Sequence, residues 1–211
     1  MIDVSRKTEI VGVNYWKMIR EEKESIFQSL HGVVFLIHNS AEFSQIIDVL
    51  NRVKPTKDLV LLYFSLINSW LNIQRTIEKK PLLNKDLHVI DCVSLFLGDM
   101  EDESHCVFLK PPHDLESLKQ IVLENIQRVN PNLFVIDSLS QFINFSMPSP
   151  EELRDFYFFL KGIRENISGL TDDAIILLYD DTFGSLRSLP VMNVDLILKY
   201  EVVREEVIWK D

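Results

Sequence analysis

Acidic side chains stand at the ends of three apolar runs in this sequence, where they could bind a cation or transfer a proton. "LFVID" ends in Asp137 and is followed by Ser138, "LHVID" ends in Asp91, and "AIILLYD" ends in Asp180. Carboxylates are ligands that magnesium prefers, and they can also serve as general acid and base. A fourth run, "VVFLIH", ends in His38, whose imidazole can exchange a proton near neutral pH. These residue types predict a candidate metal or acid–base site.

Each of these residues also has an ordinary structural explanation. Asp and Ser accept hydrogen bonds from backbone N–H groups at turns and helix starts, which is the commoner role for Asp137, Ser138 and Asp180. His38 fits a hydrogen-bonded structural histidine. The five histidines form no HxH or HExxH spacing, and the sequence has no GxSxG or GxGxxG motif. The residues therefore favour caps, and a strand-edge site built from His38, Asp91 and Asp180 is the alternative.

An acidic loop follows the run that ends in "LHVID". It carries Asp99, Glu101, Asp102 and Glu103, with His105 close behind. Such oxygen ligands could hold a cation, but their spacing does not match an EF-hand loop. A charge run of this kind is typical of a solvated loop, which is the interpretation that we favour.

The candidate residues can form one site only if the strands that carry them all end at the same edge of a sheet. Continuous apolar runs indicate strands that are buried on both faces, and their alternation with amphipathic segments indicates parallel pairing through right-handed crossovers. The sequence predicts a three-layer α/β/α sandwich with a mostly parallel sheet, closed by a C-terminal antiparallel strand or hairpin after residue 193. The predicted strands are 33–38, 58–66, 86–96, 133–137 and 174–180, and the predicted helices are 40–53, 69–80, 114–129 and 149–166.

Composition limits the class of protein. The chain of 211 residues is long enough for one sizeable domain, and we predict an α/β domain at 32–211 with an N-terminal helical segment at 1–31 packed on it. A net charge of −10 gives no support for nucleic-acid binding. Cys92 and Cys106 are predicted to be reduced, and no apolar run approaches the ~20 residues of a membrane span. We therefore expect a soluble cytoplasmic protein.

The order of elements resembles the RecA-like ATPase domain, in particular the circadian-clock-protein-like (KaiC-like) branch found widely in archaea. The most specific piece is "DLESLKQIVLENIQRVNPN" running into "LFVIDSLSQF", which resembles the Walker B strand of that family. The resemblance covers about 32–200. It implies that Asp137 matches the magnesium-associated aspartate, with Ser138 beside it, and that such domains assemble side by side.

Two parts of that family's machinery are missing from the sequence. The phosphate loop should lie between His38 and Phe43, but "HNSAEF" contains neither glycine nor lysine. The catalytic glutamate should follow the second strand near Leu66 to Asn68, and "LINS" has none. The resemblance therefore implies a degenerate member that lacks the Walker A motif, with no nucleotide-binding residues expected and no cofactor expected, unless Asp137 holds magnesium.

Two functions follow from this sequence. The first is a non-catalytic RecA-like module for regulation or protein interaction, acting as a homo-oligomer or with a protein partner, such as an active relative, in signalling. The second is a metal-dependent nucleotide- or phosphate-directed hydrolase that uses the strand-edge carboxylates. A supply of phosphate-binding residues by a neighbouring subunit stays open. The aromatic stripe "DFYFFL" at 155–160 fits either a core face or an interface, with Phe156, Phe159 and Leu160 toward the sheet.

Overall fold

Seven parallel strands form one sheet in the order β4-β3-β2-β5-β6-β1-β7. The computed structural model describes residues 26–39, 42–54, 56–96, 98, 100–166, 174–182 and 194–200. Every pairing within the sheet is parallel. The strands are β1 (Gly32–His38), β2 (Leu59–Ser65), β3 (Lys85–Asp91), β4 (Cys106–Phe108), β5 (Leu133–Asp137), β6 (Ala174–Asp180) and β7 (Leu196–Tyr200).

Helices cover both faces of this sheet, as the alternating pattern predicts. On one face α3 and α5 pack through Val122 and Phe156, and on the other α1 and α2 pack through Ile47 and Ile73. The three-layer α/β/α prediction is therefore confirmed. The helices are α1 (Phe43–Arg52), α2 (Trp70–Lys79), α3 (Leu115–Val129), α4 (Leu139–Ser146) and α5 (Pro150–Asn166), with a short 3-10 turn at Ser94–Phe96.

Side-chain caps begin α2, α3 and α5 where the sequence places them, whereas α1 begins at Phe43 without a side-chain cap. The Asp114 carboxylate accepts a hydrogen bond from the backbone N–H of Ser117 at 2.7 Å, and Ser69 likewise begins α2. Ser149 and Glu152 hydrogen-bond to each other's backbone N–H groups at the start of α5, which is the predicted capping box. These local signals fix the helix starts independently of the tertiary fold.

Three details of the sheet and one helix differ from the prediction. β7 lies parallel to β1, with Val34 opposite Leu196, so the C-terminal strand is not antiparallel as predicted. A hairpin beyond Tyr200 would lie outside the described residues. β3 ends at Asp91 instead of extending to residue 96, and the short strand β4 and the helix α4 were not predicted at all.

Only residues 26–31 of the predicted N-terminal segment belong to the described part of the chain. Phe27 and Leu30, at the end of the predicted N-terminal segment, are buried in the same core as α1 and α2. Residues 1–25 lie outside the described part. No helix in the described ranges is long and apolar enough to cross a membrane.

The aromatic stripe on α5 mostly belongs to the core. Phe156, Tyr157 and Leu160 are buried, Phe159 is half-buried, and only Phe158 is exposed. Tyr157 was expected on another side of the helix. It is buried because it contacts the same apolar cluster as its neighbour Phe156, which widens the buried face of α5.

Candidate functional site

Five polar residues lie at the carboxyl ends of the strands, and we call this set the polar row. Asp91 and Asp137 lie on either side of Ser65 in the register, whereas Asp180 and His38 lie opposite each other two residues further along than Asp137. All five are at most 2% exposed. The residue two positions earlier on each strand packs in the core formed with α1 and α2, so the polar row lies on that face of the sheet. The prediction that these side chains share one edge therefore corresponds to a buried row, not an open cleft.

Asp137 occupies the middle of the polar row and is held by two donors. Its Oδ2 accepts hydrogen bonds from the Tyr63 hydroxyl and from Nδ2 of Asn68, the latter at 3.2 Å. Its Oδ1 is buried and has no hydrogen-bond partner among the described residues. Burial raises the pKa of Asp137 to about 6 against the lowering effect of its two donors, and the nearby Asp180 charge raises it further. The expected turn cap by Asp137 is wrong, and the cap is Ser138, whose Oγ accepts from the N–H of Gln141 at the start of α4.

Tyr63 is the site residue that the sequence reasoning missed. It lies in the middle of β2, is fully buried, and packs edge-on against Phe43 with ring centroids 5.2 Å apart. Burial, together with the charge of Asp137 and the hydrogen bond to it, raises the pKa of Tyr63 well above its usual value. A signal was available, because a tyrosine inside an apolar strand must find a partner for its hydroxyl.

Both carboxylate oxygens of Asp91 are occupied by hydrogen bonds from neighbouring residues. Its two oxygens accept hydrogen bonds from four donors, namely the backbone N–H groups of Trp70, Val93 and Ser94 and the hydroxyl of Ser94. The Trp70 N–H is the first of α2, so this carboxylate also lies at a helix N-terminus, where negative charge is favoured. Asp91 is a structural cap that ties the end of β3 to α2.

Asp180 and His38 end the two neighbouring strands β6 and β1. Oδ1 of Asp180 accepts from both the N–H and the hydroxyl of Thr182, at 2.9 and 2.6 Å, which is the turn cap that the sequence favours. The Asp180 N–H donates to the Ser140 hydroxyl at 3.1 Å, so α4 is joined to β6. His38 lies opposite Asp180 in the ladder and is buried.

These contacts do not fit the magnesium ion that the family resemblance implies. Magnesium keeps several waters and needs carboxylate oxygens that face them, whereas Asp137 is only 1% exposed. The Ser138 hydroxyl is engaged with Ser140 at 2.9 Å and with the start of α4. Among the described residues at this edge, the feature in favour of a cation is the unpartnered Oδ1 of Asp137.

The accessible feature at this edge of the sheet is an apolar pocket of about 150 Å³. Phe96 and Phe145, each 72% exposed, stand at its rim. The rest of the lining comes from the ends of β2 and β3, a Pro-Pro pair and α4. Those residues are Leu66, Cys92, Val93, Pro111, Pro112, Gln141 and Phe142.

The acidic loop follows Phe96, a pocket residue, in the chain and is held by its own contacts. The Asp102 carboxylate accepts from the N–H of Phe108 at 2.9 Å, and Glu103 accepts from the indole N–H of Trp70 at 2.8 Å. Glu101, Asp102 and Glu103 are exposed, as expected for a solvated loop, and Asp99 lies outside the described residues.

Comparison with solved structures finds this fold elsewhere. The flagellar accessory protein FlaH from Methanocaldococcus jannaschii matches with a TM-score of 0.52 and 11% identity, over 85% of this chain and 76% of that chain. A KaiC-like protein from Pyrococcus horikoshii matches with a TM-score of 0.52 and 9% identity, over 83% and 75%. No protein-family model and no curated protein sequence matches the chain. At such low identity these likenesses confirm the RecA-like α/β fold and do not extend to activity.

Proposed function

We propose that this chain is a non-catalytic RecA-like module that binds a partner protein at the carboxyl edge of its sheet. The observation that carries the proposal is that the carboxylates at this edge are buried while an apolar pocket is accessible there. The groups that could do chemistry, Asp91, Asp137 and Asp180, are buried and hydrogen-bonded to the protein itself. The accessible surface there is an apolar pocket instead.

The missing phosphate loop supports the same proposal. A loop that binds a triphosphate wraps it with backbone N–H groups of glycines and neutralises it with lysine. Residues 39–42 read Asn-Ser-Ala-Glu, so neither residue type is present between β1 and α1. A negatively charged ligand would also meet Glu42 at the start of this helix.

The chemistry of the pocket indicates what kind of segment it binds. An apolar cavity of about 150 Å³ is large enough for a benzene-sized group. The pocket is lined by aromatic rings and prolines, and the acidic loop follows one of its lining residues, Phe96, on a chain of net charge −10. We therefore propose a partner segment that inserts one large apolar side chain and carries lysine or arginine next to it.

Nucleotide titration tests the non-catalytic part. We expect the melting temperature to show no saturable shift as Mg-ATP is raised to millimolar concentrations. A saturable stabilisation that disappears in Asp137→Ala would overturn the proposal. That result would support the alternative, a metal-dependent phosphate-directed hydrolase. The observation that favours this alternative is the Oδ1 of Asp137, which has no hydrogen-bond partner among the described residues.

Peptide selection tests the partner. A displayed random-peptide library, selected on the immobilised protein, should enrich sequences with Leu, Phe or Trp beside Lys or Arg. Phe145→Glu should weaken the enriched peptides by at least about tenfold, because it places a charge at an apolar anchor site. Phe158→Glu is the matched control, since Phe158 is exposed on α5 and is not part of the pocket.

Two results would contradict this assignment. One is a selection that enriches no such peptides, or peptides that bind Phe145→Glu as tightly as the wild type. The other is a concentration-dependent dimer in light scattering that Phe145→Glu abolishes, which would assign the pocket to a second copy of the chain.

A further inference from the structure

Ligand-type side chains also cluster away from the polar row, near the opposite end of β3. Asp86 and His88 are two residues apart on that strand, so they project from the same side of it. His105 lies in the turn just before β4. One ligand atom from each of the three side chains lies within 4.8 Å of the other two.

The distances within this cluster are close to those of a metal site. Nε2 of His88 is 3.4 Å from Oδ2 of Asp86, and Nδ1 of His105 is 3.8 Å from Oδ1 of the same carboxylate. The two imidazole rings are 5.2 Å apart between centroids. Ligand atoms about 2.0 Å from a tetrahedral zinc ion are roughly 3.3 Å from one another, so small side-chain rotations would bring all three onto one ion.

The backbone around His105 is fixed by hydrogen bonds. Glu103 and Cys106 exchange backbone hydrogen bonds at 2.9 and 3.3 Å, which close the turn. The carbonyl of His105 accepts from the N–H of Val89 at 2.7 Å, which joins that turn to β3 directly after His88. The cluster is therefore held by the β3–β4 ladder and does not depend on a mobile loop for its assembly.

We propose that Asp86, His88 and His105 form a binding site for a zinc-class divalent cation. Two imidazoles and one carboxylate favour zinc and its transition-metal neighbours over magnesium or calcium, which prefer all-oxygen sites. All three side chains are at least partly exposed, so an ion can enter and keep water in its remaining position. A bound ion joins β3 to the turn before the edge strand β4, and thereby cross-links this edge of the sheet.

The competing account is a carboxylate that simply pairs with two histidines. Titration calorimetry with ZnCl₂, on full-length protein whose affinity tag has been removed, distinguishes the two accounts. We expect about one equivalent of zinc to bind saturably, and MgCl₂ to give no saturable heat at the same concentrations. His88→Ala and His105→Ala should each weaken zinc binding by at least about tenfold. Even the loss of a residue that contacts a ligand, and not the metal itself, typically lowers metal affinity by that much.

His113→Ala provides the matched control. His113 forms an exposed pair with Asp114 at 3.2 Å, so it offers a histidine and a carboxylate without the third ligand. Its replacement should leave the zinc affinity unchanged. The proposal is overturned if zinc fails to bind saturably, if His105→Ala binds as the wild type does, or if His113→Ala weakens binding equally. A zinc-dependent shift of the His88 and His105 imidazole signals in NMR would identify the ligands directly.

Discussion

Asp137 and Asp91 lie two strands apart in one sheet, and these two buried carboxylates differ in how well their negative charge is stabilised by hydrogen bonds. Asp91 receives four hydrogen bonds and lies at a helix N-terminus, so its charge is well compensated. Asp137 receives two hydrogen bonds on one oxygen and none from the described residues on the other. The ionised form of Asp137 is therefore the one that the fold tolerates poorly.

This difference predicts how stability depends on pH. Asp137 has a pKa of about 6 in the folded protein and an ordinary value of 3.8, so the folded state holds this proton more tightly than the unfolded state. The contribution of Asp137 to the free energy of unfolding should therefore fall as pH rises from about 4 to about 6, and then level off. The loss corresponds to about 3 kcal/mol for a shift of this size.

Asp137→Asn should remove that pH dependence, because a carboxamide stays neutral and can still accept from Tyr63. Urea unfolding between pH 4 and 8 measures the difference between the variant and the wild type at each pH. We expect the variant to gain on the wild type as pH rises, and to be at least as stable at pH 7.5. The exposed Asp155→Asn should follow the wild-type profile. A constant difference across the whole range would contradict the buried-carboxylate account.

At the scale of elements, the sequence specified most of the sheet because its strands are continuous apolar runs and because α2, α3 and α5 begin with side-chain caps. It could not specify β4, since the three residues of Cys106–Phe108 are too short to show a period. The orientation of β7 depends on the connection before it, whose path is not encoded in local residue pattern. The α4 helix was missed because its eight residues, "LSQFINFS", follow β5 directly and a cap at Ser138 fits a turn as well as a helix start.

The site was predictable in its position and not in its contacts. The strand ends placed Asp91, Asp137 and Asp180 at one edge of the sheet, since parallel strands end at one edge. The partner of Asp137 is Tyr63, which is distant in sequence and lies two residues before the strand end. Such a contact depends on the strand order, in which β2 lies next to β5, and no local pattern reveals that order. The pocket was not predicted for the same reason.

The start of β1 gives a prediction about two glycines. Gly32 has φ +84°, and a Cβ there would lie 2.5 Å from Oδ2 of Asp195. That oxygen accepts from the Val33 N–H at 2.8 Å, so it is not free to retreat. Gly32→Ala should therefore lower the free energy of unfolding by about 1–3 kcal/mol, through backbone strain and the lost anchor of the segment before β7.

Gly162→Ala provides the contrast within the same protein. Gly162 lies inside α5, and a Cβ there would meet nothing within 4 Å. Alanine should stabilise this helix by about 0.5–1 kcal/mol. Urea unfolding of both variants measures the two effects. Equal effects of the two substitutions would show that the close approach of Asp195 to β1 has no energetic importance.

At the scale of the whole molecule, a chain with a net charge of −10 presents an apolar pocket as its proposed anchor site. Charge at the rim of an interface mainly changes the association rate, whereas a buried anchor mainly changes the dissociation rate. If the proposed partner segment is basic, salt and the loss of the anchor site should act on different rates of its binding. Raising the salt concentration should slow association, and Phe145→Glu should speed dissociation.

Stopped-flow or surface kinetics with a selected basic peptide tests this separation. Between 0.1 and 1 M NaCl the screening length falls from about 10 to about 3 Å, so the association rate should fall by about tenfold or more. Neutralising the acidic loop in Asp99→Asn/Glu101→Gln should flatten that salt dependence and leave the dissociation rate nearly unchanged. Asp58→Asn/Glu78→Gln removes the same charge from residues that neither line the pocket nor belong to the acidic loop, and should keep the wild-type slope. Equal slopes for the two double variants would mean that net charge alone attracts the peptide. The acidic loop would then have no specific part in choosing the partner.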